Sequence, residues 1–244
     1  MNNYKLLLQY EGTNYAGWQI QKNVVTVQQK IIDAIKVVTK SKVNLIGSGR
    51  TDTGVHALGQ VANFRIEDEL DLRKFNYSLN SILPEDISVI GSEKISESFH
   101  SRFDAVSRSY IYVFLHSKSP FYKNYSYLFP SIRHIDLTRM NVLSKSLLGK
   151  HDFTSLSKKN TDIDEKTCTI TEILWRRTLD KTIFYITANR FLHGMVRTII
   201  GTLLFAAEKN LNEDYITELL DAKDRTKAEQ SVPAKGLFLF KVRY

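Results

Sequence analysis

The sequence predicts an α+β protein of two ferredoxin-like halves, each running strand-helix-strand-strand-helix-strand, that form a mostly antiparallel sheet with helices on one face. Three observations support it. Tyr4, Leu6, Leu8 and Tyr10 fall on one side of Tyr4–Tyr10 at the period of a strand. Val27, Ile31, Ile35 and Val38 recur at helical spacing. The same order of elements is then read a second time, dividing the chain into residues 1–104 and 105–244, with a boundary near Ser98–Ser107. The halves share little direct identity, so the repeat is inferred from element order.

In the first half, Tyr4–Tyr10 is the opening strand, followed by the glycine-punctuated loop Glu11–Gln19. Thr26 sits at a helix N-cap with Gln29 three residues on, the spacing of a capping box. Val43–Ile46 and Gln60–Ile66 read as strands. Asp71 starts a second helix with Leu72, Phe75 and Leu79 inward; Pro84 helps end it, and Ile87–Ile90 is a further strand. In the second half, Arg108–Leu115 is a strand and Asp136–Leu148 a helix. Thr169–Trp175 and Lys181–Ala188 are strands with a turn near Leu179–Lys181. Phe191–Ala206 is a long helix, Glu213–Leu220 an extra one capped by Asn212, and Leu237–Tyr244 the closing strand. Ser157–Lys166, rich in Lys, Asn and Asp, reads as an exposed loop.

The 244 residues, 43% of them hydrophobic, suffice for a sizeable core. No apolar run approaches a membrane span, and Met-Asn-Asn-Tyr-Lys does not have the form of a signal peptide, so no membrane association is expected. Cys168 is the single cysteine, which fits a reducing, cytoplasmic setting. The six histidines show no metal-ligand spacing, so no metal is expected. A net charge of +8 favours an anionic partner, nucleic acid first.

The rest is organised around residues 47–64. Glycines at 47, 49, 54 and 59 allow sharp turns there. Asp52 is the one carboxylate between Ala34 and Ile66, a window that also holds Lys36, Lys40, Lys42, Arg50 and Arg65. Nearby cations favour the ionised form, which suits a nucleophile or base in an anion-attracting site. The plainer alternative is a glycine-rich turn with Asp52 as a cap or Asx-turn residue. Neither the phosphate-gripping pattern Gly-Lys-Ser/Thr nor the dinucleotide pattern Gly-x-Gly-x-x-Gly is present. A lone carboxylate cannot assemble a hard-cation nuclease site.

Two further stretches are free of acids. Ala105–Ile135 carries Arg108, Lys118, Lys123 and Arg133 among eight aromatics. On its first strand Tyr110, Tyr112 and Phe114 oppose Ile111, Val113 and Leu115, a pattern that suits base stacking on one face and helix cover on the other. Ordinary core packing is expected for most of these aromatics, and Tyr110 is singled out for stacking. Lys181–Ala207 holds Arg197, and on a helix Gly194, Arg197 and Gly201 share a stripe. A partly desolvated guanidinium calls for an anion, with Asp52 the leading candidate; capping a carbonyl or reaching solvent is the alternative. His193 reads as a packing residue.

Gly49-Arg50-Thr51-Asp52-x-Gly54-Val55-His56-Ala57 resembles the signature of the tRNA pseudouridine synthase A family. Further matching blocks are Gly12-Thr13-x-Tyr15-x-Gly17-Trp18-Gln19, Thr26-Val27-Gln28 and Arg108-x-Tyr110-x-Tyr112. His151-Asp152-Phe153, Phe191–Arg197 and Pro233-Ala234-x-Gly236-Leu237 complete the set in family order over essentially the whole chain. Thr53, Gly194, Ser231-Val232 and the glycine-free Leu204–Asn210 depart from the usual pattern. The resemblance implies the pseudouridine synthase fold and isomerisation of uridine to pseudouridine at positions 38, 39 and 40 of the tRNA anticodon stem-loop, without a cofactor. It implies Asp52 as catalytic nucleophile or base, Arg197 as its ionic partner, and Tyr110 as catalytic and stacking on the uracil. It also implies Arg50 entering the space left by a flipped nucleotide, and a homodimer. A non-catalytic RNA binder of the same fold, or a synthase for other RNA positions, are the competing readings.

Overall fold

The computed structural model describes residues 1–158 and 165–244. Residues 159–164 of the loop expected at Ser157–Lys166 lie outside the described residues. The chain divides into two compact units, Met1–Val106 with Phe238–Tyr244, and Ser107–Leu237.

The first unit runs β1 (Asn2–Tyr10), α1 (Val27–Thr39), β2 (Ile46–Gly47), β3 (His56–Ile66), α2 (Leu72–Ile82) and β4 (Ile87–Ile95). β1 is central, antiparallel to β3 and to β4. β2 pairs antiparallel with β3 at Ala62 and Asn63, and the closing strand of the chain, Leu237–Arg243, pairs parallel with β3 at His56 and Ala57. This is the strand arrangement that a strand-helix-strand-strand-helix-strand unit requires. Alternation on β1 places Tyr4, Leu6, Leu8 and Tyr10 in the core. There Tyr4 meets Phe64, and Phe64 meets Phe75 of α2, each with ring centroids 5.8 Å apart. Burying one such side chain contributes roughly 1.5–3 kcal/mol.

Both helices start where their capping residues stand. Asp71 accepts from the N–H groups of Arg73 and Lys74. Thr26 accepts from Gln29 N, but the reciprocal half of a capping box is absent because the Gln29 amide donates to Asp33. α2 stops at Ile82, and Leu83 before Pro84 is extended, as a residue preceding proline prefers. The strand expected at Val43–Ile46 shrinks to Ile46–Gly47, while the two expected at Gln60–Ile66 and Ile87–Ile90 are longer than their apolar patterns.

The second unit contains β5 (Ser107–Leu115), β6 (Tyr127–Leu128), α3 (Leu137–Lys145), β7 (Gly149–Asp152), β8 (Thr167–Arg177), β9 (Lys181–Ala188), α4 (Met195–Glu208) and α5 (Glu213–Asp221); β10 is the closing strand already described. Its sheet runs β5-β9-β8-β7, antiparallel throughout, with β6 added parallel to β5. β6 and β7 are too short to leave a periodic signal. Two of the β5 aromatics take the core-packing role expected for most of them, rather than a base-stacking face. Tyr112 and Phe114 are fully buried, and Phe114 joins Trp175 and Phe184 in the core. Trp175 Nε1 donates to Ser144 Oγ of α3 at 2.9 Å, so the aromatic face is the helix-covered face.

The long helix begins at Met195 rather than Phe191. Gly194 has φ +73°, a left-handed conformation that cannot continue a helix. Asn189 holds the preceding loop, its side chain accepting from Thr169 N and Arg190 N. Asn212 occupies the N-cap of α5, but its side chain bonds Asp214 rather than the backbone. Among the described residues no helix is long and apolar enough to cross a membrane.

Cys168 on β8 tests the packing of the second unit. Burial pushes its thiol up to about 11, with Arg190 opposing the shift. A thiol-disulfide reagent at pH 8 is expected to label it only as fast as the unit opens, and at once in denaturant. Because the folded value is raised, Cys168 contributes full stability below the ordinary thiol range and loses it as pH rises toward about 11. Immediate stoichiometric labelling of the native chain would contradict the burial.

Candidate active site

Asp52 lies in the loop between β2 and β3, half-buried, with its carbonyl accepting from Val55 N at 3.1 Å. A second loop, residues 12–18, lies backbone-to-backbone against it. A Cβ on Gly12 would overlap the carbonyl oxygen of Val55, and one on Gly17 would stand 2.5 Å from Thr51 O. Gly17 also has φ +87°. No side chain larger than hydrogen fits either place without moving the Asp52 loop.

Polar contacts fix the same arrangement. Trp18 N donates to Thr51 O at 3.1 Å, and Gly12 N to His56 Nδ1 at 3.0 Å. The hydroxyls of Tyr10 and Thr51 are 2.8 Å apart. Burial drives the Tyr10 phenol far above its usual value, against the pull of Thr51 and Gln60, so it stays neutral. Ser48 Oγ donates to Gln60 Oε1 at 2.6 Å, and Gln60 Nε2 to Gly49 O at 3.0 Å. Trp18 lies so close to Gly47 that a Cβ there would come within 2.6 Å of its ring. The 12–18 loop also starts α1, since Val27 N and Gln28 N donate to the carbonyls of Gly17 and Trp18. The buried Gln28 amide completes the tie, donating to Leu45 O and accepting from Ile20 N. Arg50, two residues before Asp52, is exposed.

Tyr110 and Arg197 belong to the second unit. Tyr110 is 8% exposed and meets Phe191 edge-on at 5.1 Å. Arg197 stands in the first turn of α4, half-buried, and its Nε donates to Val232 O at 2.7 Å. Val232 N returns a bond to Arg197 O. Thr198 and Ser231 join their hydroxyls at 2.8 Å, and Tyr112 donates its phenol to Pro233 O at 2.7 Å. Burial raises the Tyr112 phenol far above its usual value, with the Arg197 charge opposing, so it remains a neutral donor. The 231–233 segment is thus held by three side chains from β5 and α4. His193 is exposed, a correction to its reading as a packing residue. Gly194 caps α4 rather than extending the stripe of Arg197 and Gly201. Among the described residues no group of three or more His, Cys, Asp or Glu could hold a metal ion.

Sequence reasoning missed the work of Tyr10, Thr51, Gln60, Tyr112 and the two loop glycines. The glycines were visible, but nothing local said which backbone they approach. Gly201 gives a test with an inverted sign. Gly→Ala inside a helix ordinarily gains about 1 kcal/mol. Here the added Cβ would overlap Gln230 O, so Gly201→Ala is expected to lower Tm, whereas Gly49, with open space around it, tolerates alanine. Thermal unfolding of both variants checks this.

The family model described as tRNA pseudouridine synthase matches residues 7–104 and 143–244. Arg50, Asp52 and Arg197 lie inside the matched segments, and Tyr110 falls between them. A protein of Clostridium acetobutylicum named tRNA pseudouridine synthase A is 42% identical over 246 residues, covering 100% of both chains. Proteins of the same name from Thermoanaerobacter sp. and Brachyspira hyodysenteriae are 39% and 40% identical, covering 100% and 98% of this chain and 100% and 96% of their own length. Among solved structures, an archaeal box H/ACA sRNP Nop10-Cbf5 complex shares 12% identity at a TM-score of 0.38, covering 84% of this chain and 43% of that one. That superposition is too loose to carry an argument. The full-length identities and the family match agree with the α+β architecture, and the chain belongs to the tRNA pseudouridine synthase family.

Proposed function

We propose that the chain isomerises uridine to pseudouridine at positions 38, 39 and 40 of the tRNA anticodon stem-loop, with Asp52 as nucleophile or base. The observation that carries the reading is the half-buried Asp52 on a loop locked by glycine-only backbone contacts, inside a family match along most of the chain. Rigid presentation of one carboxylate is what this chemistry needs. The bond from uracil N1 to ribose C1′ breaks, the uracil turns within the site, and C5 joins C1′; the C5 proton leaves to solvent and N1 takes one up, so the atoms balance. The change is redox-neutral and moves no group to an acceptor, so it calls for no cofactor.

Asp52 acts by attacking C1′, attacking uracil C6 or taking a ribose proton. Arg197 holds it, its guanidinium oriented by the bond from Nε to Val232 O. Tyr110 stacks on the uracil and helps remove the C5 proton. A uracil in a stem must leave the duplex to react, and the exposed Arg50 enters the space it vacates. Clustered cations give phosphate contacts and salt-dependent affinity. The enzyme works in the cytoplasm as a homodimer.

The test uses tRNA tritiated at uracil C5. Asp52→Asn is expected to reduce label release by about 10⁴-fold or more, the scale of removing a member of a catalytic unit, with tRNA binding retained. Equal label release by the variant would remove Asp52 from the chemistry. Joint loss of folding and binding would return it to a structural role. Mapping the modified positions in the product checks the address.

A further inference from the structure

We infer that the turn at residues 100–104 is a second RNA contact, in which the Phe103 ring stacks on an unpaired base and the Arg102 guanidinium meets a neighbouring phosphate. The inference rests on the tRNA reading above.

Phe103 is 75% exposed. Phe99, four residues earlier, instead packs against Tyr244 at 4.9 Å, with Lys5 Nζ above both rings. The phenyl buries little of its surface, yet the turn that carries it is heavily braced. Ser101, fully buried, donates both its N–H and its hydroxyl to Asn63 Oδ1, at 2.9 and 2.7 Å. Asn3 donates to the carbonyls of Ser96 and Phe99 and accepts from Asn63 Nδ2, while the Tyr244 hydroxyl donates to Ser101 O. At the tip, His100 Nδ1 accepts from the N–H groups of Arg102 and Phe103, and Asp104 accepts from His100 N.

The bracing reaches the ring itself. The His100 imidazole lies against Phe103 with centroids 4.3 Å apart and 30° between planes, and the Arg102 guanidinium is 5.7 Å from the ring centre. The imidazole supports the phenyl and the guanidinium stands over the ring, which still leaves three quarters of the side chain exposed. That is the construction of a base-stacking platform, where a rigid aromatic supplies the face and an adjacent cation the phosphate contact. A second copy of the chain fits less well. A stable protein interface takes about 800 Å² from each partner, whereas the large apolar side chains exposed at this turn are Phe103 and Val106.

The experiment measures tRNA affinity at fixed salt and label release at low tRNA for Phe103→Ala, Phe103→Leu and Phe103→Trp. Tyr77→Ala, an equally exposed aromatic on α2, is the control. Alanine and leucine are expected to lower affinity and kcat/KM by roughly tenfold to a hundredfold, the scale of one lost base stack, while tryptophan restores both. Arg102→Gln should flatten the plot of log affinity against log salt by about 0.7, the share of one single-strand phosphate. Leucine performing as well as phenylalanine would overturn the stacking role. So would a loss that tracks a change of oligomeric state in light scattering, which would assign the turn to a subunit contact. A wild-type chain whose tRNA binding depends on Phe103 but which releases no label would keep this inference and sink the catalytic reading.

Discussion

The constraint on which the first unit depends is the approach of two backbones. Residues 12–18 and 51–55 come so close that Gly12 and Gly17 leave no room for a β-carbon. Position and conformation of the Asp52 loop are constrained by that contact. The same loop seats Trp18 beneath Gly47 and supplies the carbonyls that receive the first N–H groups of α1. A change in its path would therefore move a helix, a buried indole and the candidate carboxylate together. Such coupling resists small displacements, and a misplacement of 1 Å in a reacting group can cost about 10²-fold in rate.

The second unit reaches a similar end with side chains. Segment 231–233 is tied to α4 by Arg197 and Thr198 and to β5 by Tyr112. The departure at Ser231-Val232 is accommodated there. The hydroxyl bond to Thr198 needs only an oxygen on Cβ, which serine supplies, and Val232 takes part through its backbone. The lack of glycine in Leu204–Asn210 has an equally local reading. Leu203, Leu204, Ala206 and Ala207 are buried as α4 continues to Glu208, so the stretch acts as core helix.

Much of the fold was legible because its signals are local. Alternation on β1, the caps at Thr26 and Asp71, and the stop before Pro84 each involve neighbours within a few residues. Local pattern left open what a distant partner decides. Tyr112 and Phe114 look alike on a base-binding face and on a core face, and Trp175 and Phe184, some 60 residues away in sequence, settle the matter. The start of α4 was misplaced because residues 189–194 carry helical apolar spacing while Asn189 and the positive φ of Gly194 hold them out of a helix. For the candidate site, sequence pattern isolated Asp52 and Arg197. It was silent on Tyr10, Gln60 and His56, whose partners lie tens of residues away or belong to the backbone.

The division of labour between these residues and Asp52 follows from the cost of buried polar groups. A buried donor or acceptor without a partner costs about 1–3 kcal/mol, so Gln60, Ser48, Tyr10 and His56 are each bonded as they are buried. These bonds reach the backbone of Gly49 and Gly12, the Thr51 hydroxyl or each other, which ties the loop down. Asp52 keeps a half-buried setting and Arg50 an exposed one. An isomerase depends on how closely it fixes the groups it brings to its substrate. With the fully buried polar side chains fixing backbone geometry, the half-buried Asp52 is carried on a loop that holds its position.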